Sequence, residues 1–197
     1  MTQPYVPLSH TGLLAGARYC RPSYQTQNVT LESPAVTVMT DLERVMAVTI
    51  GPDASIETAN QCMIAAGVRL LLVVDGEQHI LGLITASDIL GEKPMKYLQR
   101  MGGTFGEILV HDIMTSQEEL DVLQLQEVDQ ARVGDVVATL KYFGRQHALV
   151  VETERDRMSQ KVRGIFSVTQ IGRQLGMIVA PGEIASTFAE LGAVLIS

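Results

Sequence analysis

The chain of 197 residues is 46% hydrophobic and 19% charged, enough apolar material for one globular unit or two small ones sharing a core. With four Phe, five Tyr and no Trp, that core has to be built from aliphatic side chains, Met and Ala. A formal charge of −7, with no run of Lys and Arg, excludes general nucleic-acid binding, and no stretch approaches a membrane span, so a cytoplasmic location is expected.

Residues 1–35 mix Pro4, Pro7, Gly12, Gly16 and Pro22 with little apolar periodicity and read as an N-terminal arm. Beyond them the chain repeats itself. Residues 48–75 lie over 125–152 without a gap: Ala54 falls on Ala131, Gly67 on Gly144, Leu72-Val73-Val74 on Leu149-Val150-Val151, and Asp75 on Glu152. Upstream, Val38-Met39-Thr40 faces Ile113-Met114-Thr115 as an extended opening run. Downstream, Gly82-Leu83-Ile84-Thr85 faces Gly164-Ile165-Phe166-Ser167, with five extra residues in the second copy.

Each copy has one element plan. Ile56, Ala59 and Met63 share a helical face after the turn Pro52–Ser55, and Gly67 stops that helix; Val133, Val136, Val137 and Leu140 repeat the pattern up to Gly144. Short aliphatic runs follow, Leu70–Val74 and Ala148–Val151, and are buried strands. A polar turn, Asp75–Glu77 or the longer Thr153–Lys161, leads into a second strand, Leu81–Ile84 or Val162–Phe166, which runs into a short helix, Ser87–Leu90 or Val168–Leu175. The order is strand, helix, strand, strand, helix, twice, a mixed α+β fold. The expected divisions are 36–98 and 110–178 for the two units, a linker at 99–109 entered through a helix from Pro94, and a terminal amphipathic segment at 179–197.

These residues carry a family resemblance. The V-M-T and I-M-T openings, the V-V-D and V-V-E strand ends, and above all GLITASDIL and GIFSVTQIG resemble the cystathionine-β-synthase-type (CBS) domain family over roughly residues 36–176. The family pattern at the strand-to-helix junction is Gly, apolar, any, Thr or Ser, two residues, Asp. Copy one matches it with Gly82, Thr85 and Asp88; copy two has Gly164 and Ser167 but Gln170 in place of Asp. The resemblance implies two units packed about a pseudo-twofold axis, clefts between their sheets, an adenosine-bearing ligand such as AMP, ADP, ATP or S-adenosylmethionine, and a homodimer. It also implies regulation of another protein, here by a stand-alone module.

The junction suits a nucleotide. Backbone NH groups at a helix start receive phosphate, Thr85 adds a hydroxyl, and Asp88 can accept both ribose hydroxyls. Val48, Ile50 and Ile84 are the expected walls for the base, with the backbone of Thr49–Ile50 reading its polar edge. The competing reading is a capping box, in which Thr85 and Asp88, or Ser167 and Gln170, only satisfy helix NH groups. In the Ser167 cleft, Arg145 and His147 are expected to assist by holding phosphate.

Neither Cys20 nor Cys62 has the partners of a metal or disulfide site; Cys62 reads as a packing residue or, alternatively, a regulatory thiol. No catalytic motif is present, so no enzyme, cofactor or metal is expected. Two functions remain open: a ligand sensor that biases an unidentified partner protein, and a structural dimerisation or docking module with vestigial clefts.

Overall fold

The computed structural model describes residues 29–153 and 159–176. Most of the expected arm and the whole terminal segment from 179 lie outside the described residues.

In the first repeat, β1 (Thr40–Asp41) and β2 (Thr49–Ile50) precede α1 (Ile56–Ala66). Ser55 caps α1 by accepting the NH of Thr58 at 3.1 Å, and Gly67 ends it at φ +65°, a left-handed conformation that favours glycine. The expected inner face, Ile56, Ala59 and Met63, is buried. Strand β3 (Leu70–Val74) is buried at every position: Leu71 and Val73 pack under α1, whereas Leu70, Leu72 and Val74 face the second repeat. Coverage on both faces is why this strand is a continuous apolar run instead of an alternating one. Strand β4 (Ile80–Thr85) returns antiparallel and passes into α2 (Ala86–Leu90).

The linker helix α3 (Lys93–Met101) has Pro94 in its first turn and ends at Gly102, φ +77°. The second opening run departs from expectation. Residues Val110–Ile113 coil into α4, whose start is held by the Asp112 carboxylate accepting the NH of Leu109 at 2.8 Å, and β5 is confined to Thr115–Ser116. After β6 (Val122–Gln124) comes α5 (Leu125–Val128), then α6 (Val133–Tyr142), β7 (His147–Thr153), β8 (Gln160–Ser167) and α7 (Val168–Gln174).

The strand registers correct the gapless alignment. Thr49 pairs with Leu72 and Val122 pairs with Leu149, so Thr49 corresponds to Val122 instead of Gln126. The second repeat carries four more residues here, coiled as α5, with Val128 buried beside Val133 and Val136. Both hairpins shift register at corresponding places, between Val73 and Val74 and between Val150 and Val151, so the repeats share an irregularity as well as a plan.

The described strands form two sheets, in the orders β2-β3-β4-β5 and β1-β8-β7-β6. Each short opening strand therefore joins the sheet of the other repeat. β5 pairs with β4 (Leu83 opposite Thr115), and β1 pairs with β8 (Thr40 opposite Ile165). Helices cover the outer face of each sheet, around Ile84 in one and Phe166 in the other, and the inner faces meet through Leu70, Leu72, Leu83 and Leu149. Burying one such leucine contributes about 1.5–3 kcal/mol, so the shared layer binds the two repeats into one unit.

Candidate binding cleft between the repeats

The exchange of opening strands decides what faces each junction. Thr85 ends β4 as the N-cap of α2, and its side chain accepts the NH of Asp88 at 3.3 Å. In return Asp88 Oδ2 accepts the NH of Thr85 at 2.8 Å and its hydroxyl at 2.7 Å, so the capping box is fully formed. The other carboxylate oxygen, Oδ1, lies 2.8 Å from Lys93 Nζ, which also donates to the carbonyl of Ile113 at 2.9 Å. Lys93 thus links the junction of repeat one to the segment that opens repeat two. Sequence reasoning missed it, although its place one turn beyond Asp88, at the mouth of the linker helix, was a signal.

Thr85 and Asp88 open into a cavity of about 480 Å³ whose other walls are Leu83, Thr115 and Leu120 together with Arg145, Gln146 and His147. Half of it belongs to repeat two. Ser87 on α2 donates to Gln146 Oε1 at 3.2 Å, a direct contact across the repeat boundary. Arg145 holds Asp121 at 2.8 Å.

Several expected positions lie elsewhere. Ile84 is fully buried and faces α1, because alternation along β4 turns Leu83, its neighbour, to the cavity. Val48 and Ile50 pack on the same helix-covered core, and Thr49 lines a separate cavity of about 750 Å³ nearer the hairpin tips. The wall opposite Thr85 comes from β5 and the turn after it because β5, not β2, lies beside β4. Arg145 and His147 line the Thr85 cavity, since the start of β7 meets α2 across the interface, although His147 also stands opposite Ser167 in the β7–β8 register.

Gln170 lines a third cavity, about 520 Å³, with Thr40, Asp41 and Arg44. The capping box expected of Ser167 and Gln170 is absent: Ser167 makes no side-chain cap, and the Gln170 amide oxygen accepts the Thr40 hydroxyl at 3.1 Å. Helix α7 starts instead with the NH of Val168 donating to the carbonyl of Gln146 at 3.0 Å.

His147 does not supply the expected positive charge. Burial, reinforced by the charge of Arg69 and only partly opposed by Asp88, pushes its pKa down to about 4 from 6.5, so the ring is neutral at physiological pH. Between those values the unfolded chain takes up a proton that the folded chain refuses, so stability falls as pH drops from about 6.5 towards 4, by up to about 3 kcal/mol. Urea unfolding midpoints between pH 7.5 and 4.5 should show that decline, and His147→Gln should flatten it. An equal decline in the variant would assign the effect to other groups.

Comparison with known proteins supports the architecture. The family described as CBS domain matches residues 37–94. Solved structures that resemble the chain include an uncharacterized conserved protein from Pyrococcus horikoshii, with TM-score 0.54, 21% identity, and coverage of 78% of this chain and 100% of that one. The CBS-domain protein NE2398 gives TM-score 0.51 at 22% identity, over 72% and 96% of the two chains. CBSX2, known from Arabidopsis thaliana and solved in complex with AMP, gives 0.50 at 21% identity, over 72% and 94%. No curated protein matches the sequence. No helix among the described residues is long and apolar enough to cross a membrane.

Proposed function

Residues 37–94 are a CBS domain and the described fold is that of a CBS-domain pair, and on that premise we propose that the chain is a non-catalytic sensor, binding an adenosine-bearing ligand in the Thr85–Asp88 cavity. The observation that carries the reading is the composition of the cavity: it is of a size suited to a small molecule, and its walls come from both repeats. A ligand seated there touches α2, β5 and the start of β7 at once, so occupancy favours one arrangement of the repeats over another and can bias a bound partner protein. That CBSX2 was solved with AMP is in keeping with this. Ribose hydroxyls would take the Asp88 oxygens now engaged by Lys93 and Thr85, and Leu83 and Leu120 offer the base an apolar seat. Because Gln170 is turned to Thr40 and brings no carboxylate, the reading assigns one ligand per chain.

A second reading is favoured by one observation: both Asp88 oxygens already have partners, as a junction with a purely structural role requires. In that case the pair is a dimerisation or docking module. Both readings include a homodimer in the cytoplasm, to which exposed apolar side chains on the helices, Ile64, Leu90 and Tyr142 among them, are suited. Native mass spectrometry of protein taken from cells separates them. The sensor should appear at about twice the 21.4 kDa chain mass with one adenosine-bearing molecule retained per chain. A dimer without ligand that also fails to take up added AMP leaves only the docking module.

A further inference from the structure

Away from the Thr85–Asp88 cavity, the two sheets part towards their hairpin tips. The space between them is the cavity of about 750 Å³ that Thr49 lines, and its walls come in matched pairs from the two repeats: Ala47 with Leu120, Leu72 with Leu149, and Val74 with Val151. Leu72, Val74, Leu149 and Val151 are buried, whereas Leu70 and Leu83, which belong to the same inner layer, do not line the space. The register shifts of both hairpins fall here, between Val73 and Val74 and between Val150 and Val151. An irregularity of this kind bends its strand and re-aims the side chains beside it, and a matched pair of bends accounts for the room left between the sheets.

The mouth of this cavity is polar, and its charges are balanced. No carboxylate lines it; the polar wall residues are Thr49, Gln78, His79, Gln117, Gln160 and Lys161. Asp75 holds the first hairpin turn in shape: its Oδ1 accepts the NH of Glu77 at 2.9 Å and that of His79 at 2.8 Å, with Gln78 between them at φ +69°. The two basic groups already face acids. His79 Nδ1 lies 3.1 Å from Asp75 and 3.7 Å from Glu77, and Lys161 stands opposite Glu152 in the β7–β8 register. What the mouth offers a ligand is therefore three amides and a hydroxyl, each able to donate and to accept. An ion drawn in against the aliphatic walls would lose its hydration without gaining a partner.

We propose that this cavity is a second ligand site, for a small uncharged molecule with a mainly apolar body and a hydroxyl or carbonyl group at one end. The volume suits such a molecule, the body lies against the aliphatic inner faces, and the end group meets the amides at the mouth. Leu120 belongs to the walls of both cavities, but Thr85, Asp88, Arg145 and Gln146 do not line this one, nor does Gln170. The site therefore stands whether or not the Thr85–Asp88 cavity takes an adenosine-bearing ligand.

Nile red, an uncharged dye whose emission rises in apolar surroundings, tests this, with 1-decanol as competitor. The full chain should bind one dye molecule per chain, displaced by 1-decanol and not by AMP. Ala47→Phe puts a ring into the cavity. Thr49→Phe does so from an exposed position on an edge strand, where an aromatic residue is well tolerated, and keeps the test decisive if the first variant does not fold. Each folded variant should bind the dye about tenfold more weakly or worse, whereas Asp88→Asn should bind it as the unaltered protein does. Unchanged dye affinity in a folded Thr49→Phe protein would place the dye on exposed apolar surface, and loss of binding in Asp88→Asn or on addition of AMP would place it in the Thr85–Asp88 cavity; either result overturns the site. So does an absence of dye binding by the folded full chain, the result expected if another part of the chain or a second copy occupies the space.

Discussion

Replacing Asp88 with Asn should reduce AMP affinity by at least about tenfold while leaving the protein folded. Hydrogen bonds to a charged group are worth about 1.5–3 kcal/mol against about 0.5–1.5 for neutral ones, and the proposed ribose contact with Asp88 would belong to the first class. Asn keeps an oxygen that can accept the NH of Thr85, so α2 retains most of its cap; what it loses is the ion pair with Lys93, itself nearly half exposed. Asp88→Ala removes cap and ion pair together and should lower stability by about 1–2 kcal/mol as well as abolishing measurable binding. Titration calorimetry with AMP, set beside urea unfolding of the same samples, separates the two effects. If a folded Asp88→Asn protein bound AMP with unchanged affinity, Asp88 would be a cap and nothing more.

Much of this architecture is legible in the sequence because local signals and burial agree. Leu70–Val74 is found at its full length since both its faces are covered and every residue is apolar. The stops at Gly67 and Gly102 are found because a glycine at positive φ ends each helix. What is not legible is which sheet a two-residue strand joins. Thr40–Asp41 and Thr115–Ser116 are too short to carry a pattern, and their partners are set by a linker geometry that no local signal encodes. The same gap explains the site. Thr85 and Asp88 are visible as a motif within one repeat, whereas Thr115, Leu120 and Gln146 reach the cavity only through the exchange of strands and the face-to-face packing of the sheets. Arg145 and His147 are legible as polar residues beside a strand, but which cleft they line depends on β7 beginning opposite α2. Ile84 lies on the core face instead of the cavity face for a simpler reason. In a strand covered on both sides, hydrophobicity does not tell the cavity face from the core face.

Gly82→Ala should unseat the opening strand of the second repeat, and Gly164→Ala, its counterpart, should not do so at the first. The two glycines occupy corresponding places, one facing β5 and the other β1, yet their surroundings differ. A Cβ on Gly82 would overlap the backbone carbonyl oxygen of Thr115 and press on the Cα of Ser116 at 3.2 Å; neither can move without parting β5 from β4. The three atoms nearest a Cβ on Gly164 would all belong to the side chain of Met39, an unbranched thioether that can adopt another rotamer. Overpacking against fixed backbone costs about 1–3 kcal/mol, and the loss of pairing places Gly82→Ala at the upper end; Gly164→Ala should cost about 1 kcal/mol or less. The ligand effect should be unequal in the same sense. Thr115 and Leu120 form the wall opposite Thr85, so displacing β5 opens the cavity, and AMP binding by Gly82→Ala should be lost even at temperatures where circular dichroism shows the variant folded. Equal destabilisation by the two alanines, or full AMP affinity in Gly82→Ala, would mean that β5 is not the wall of the site.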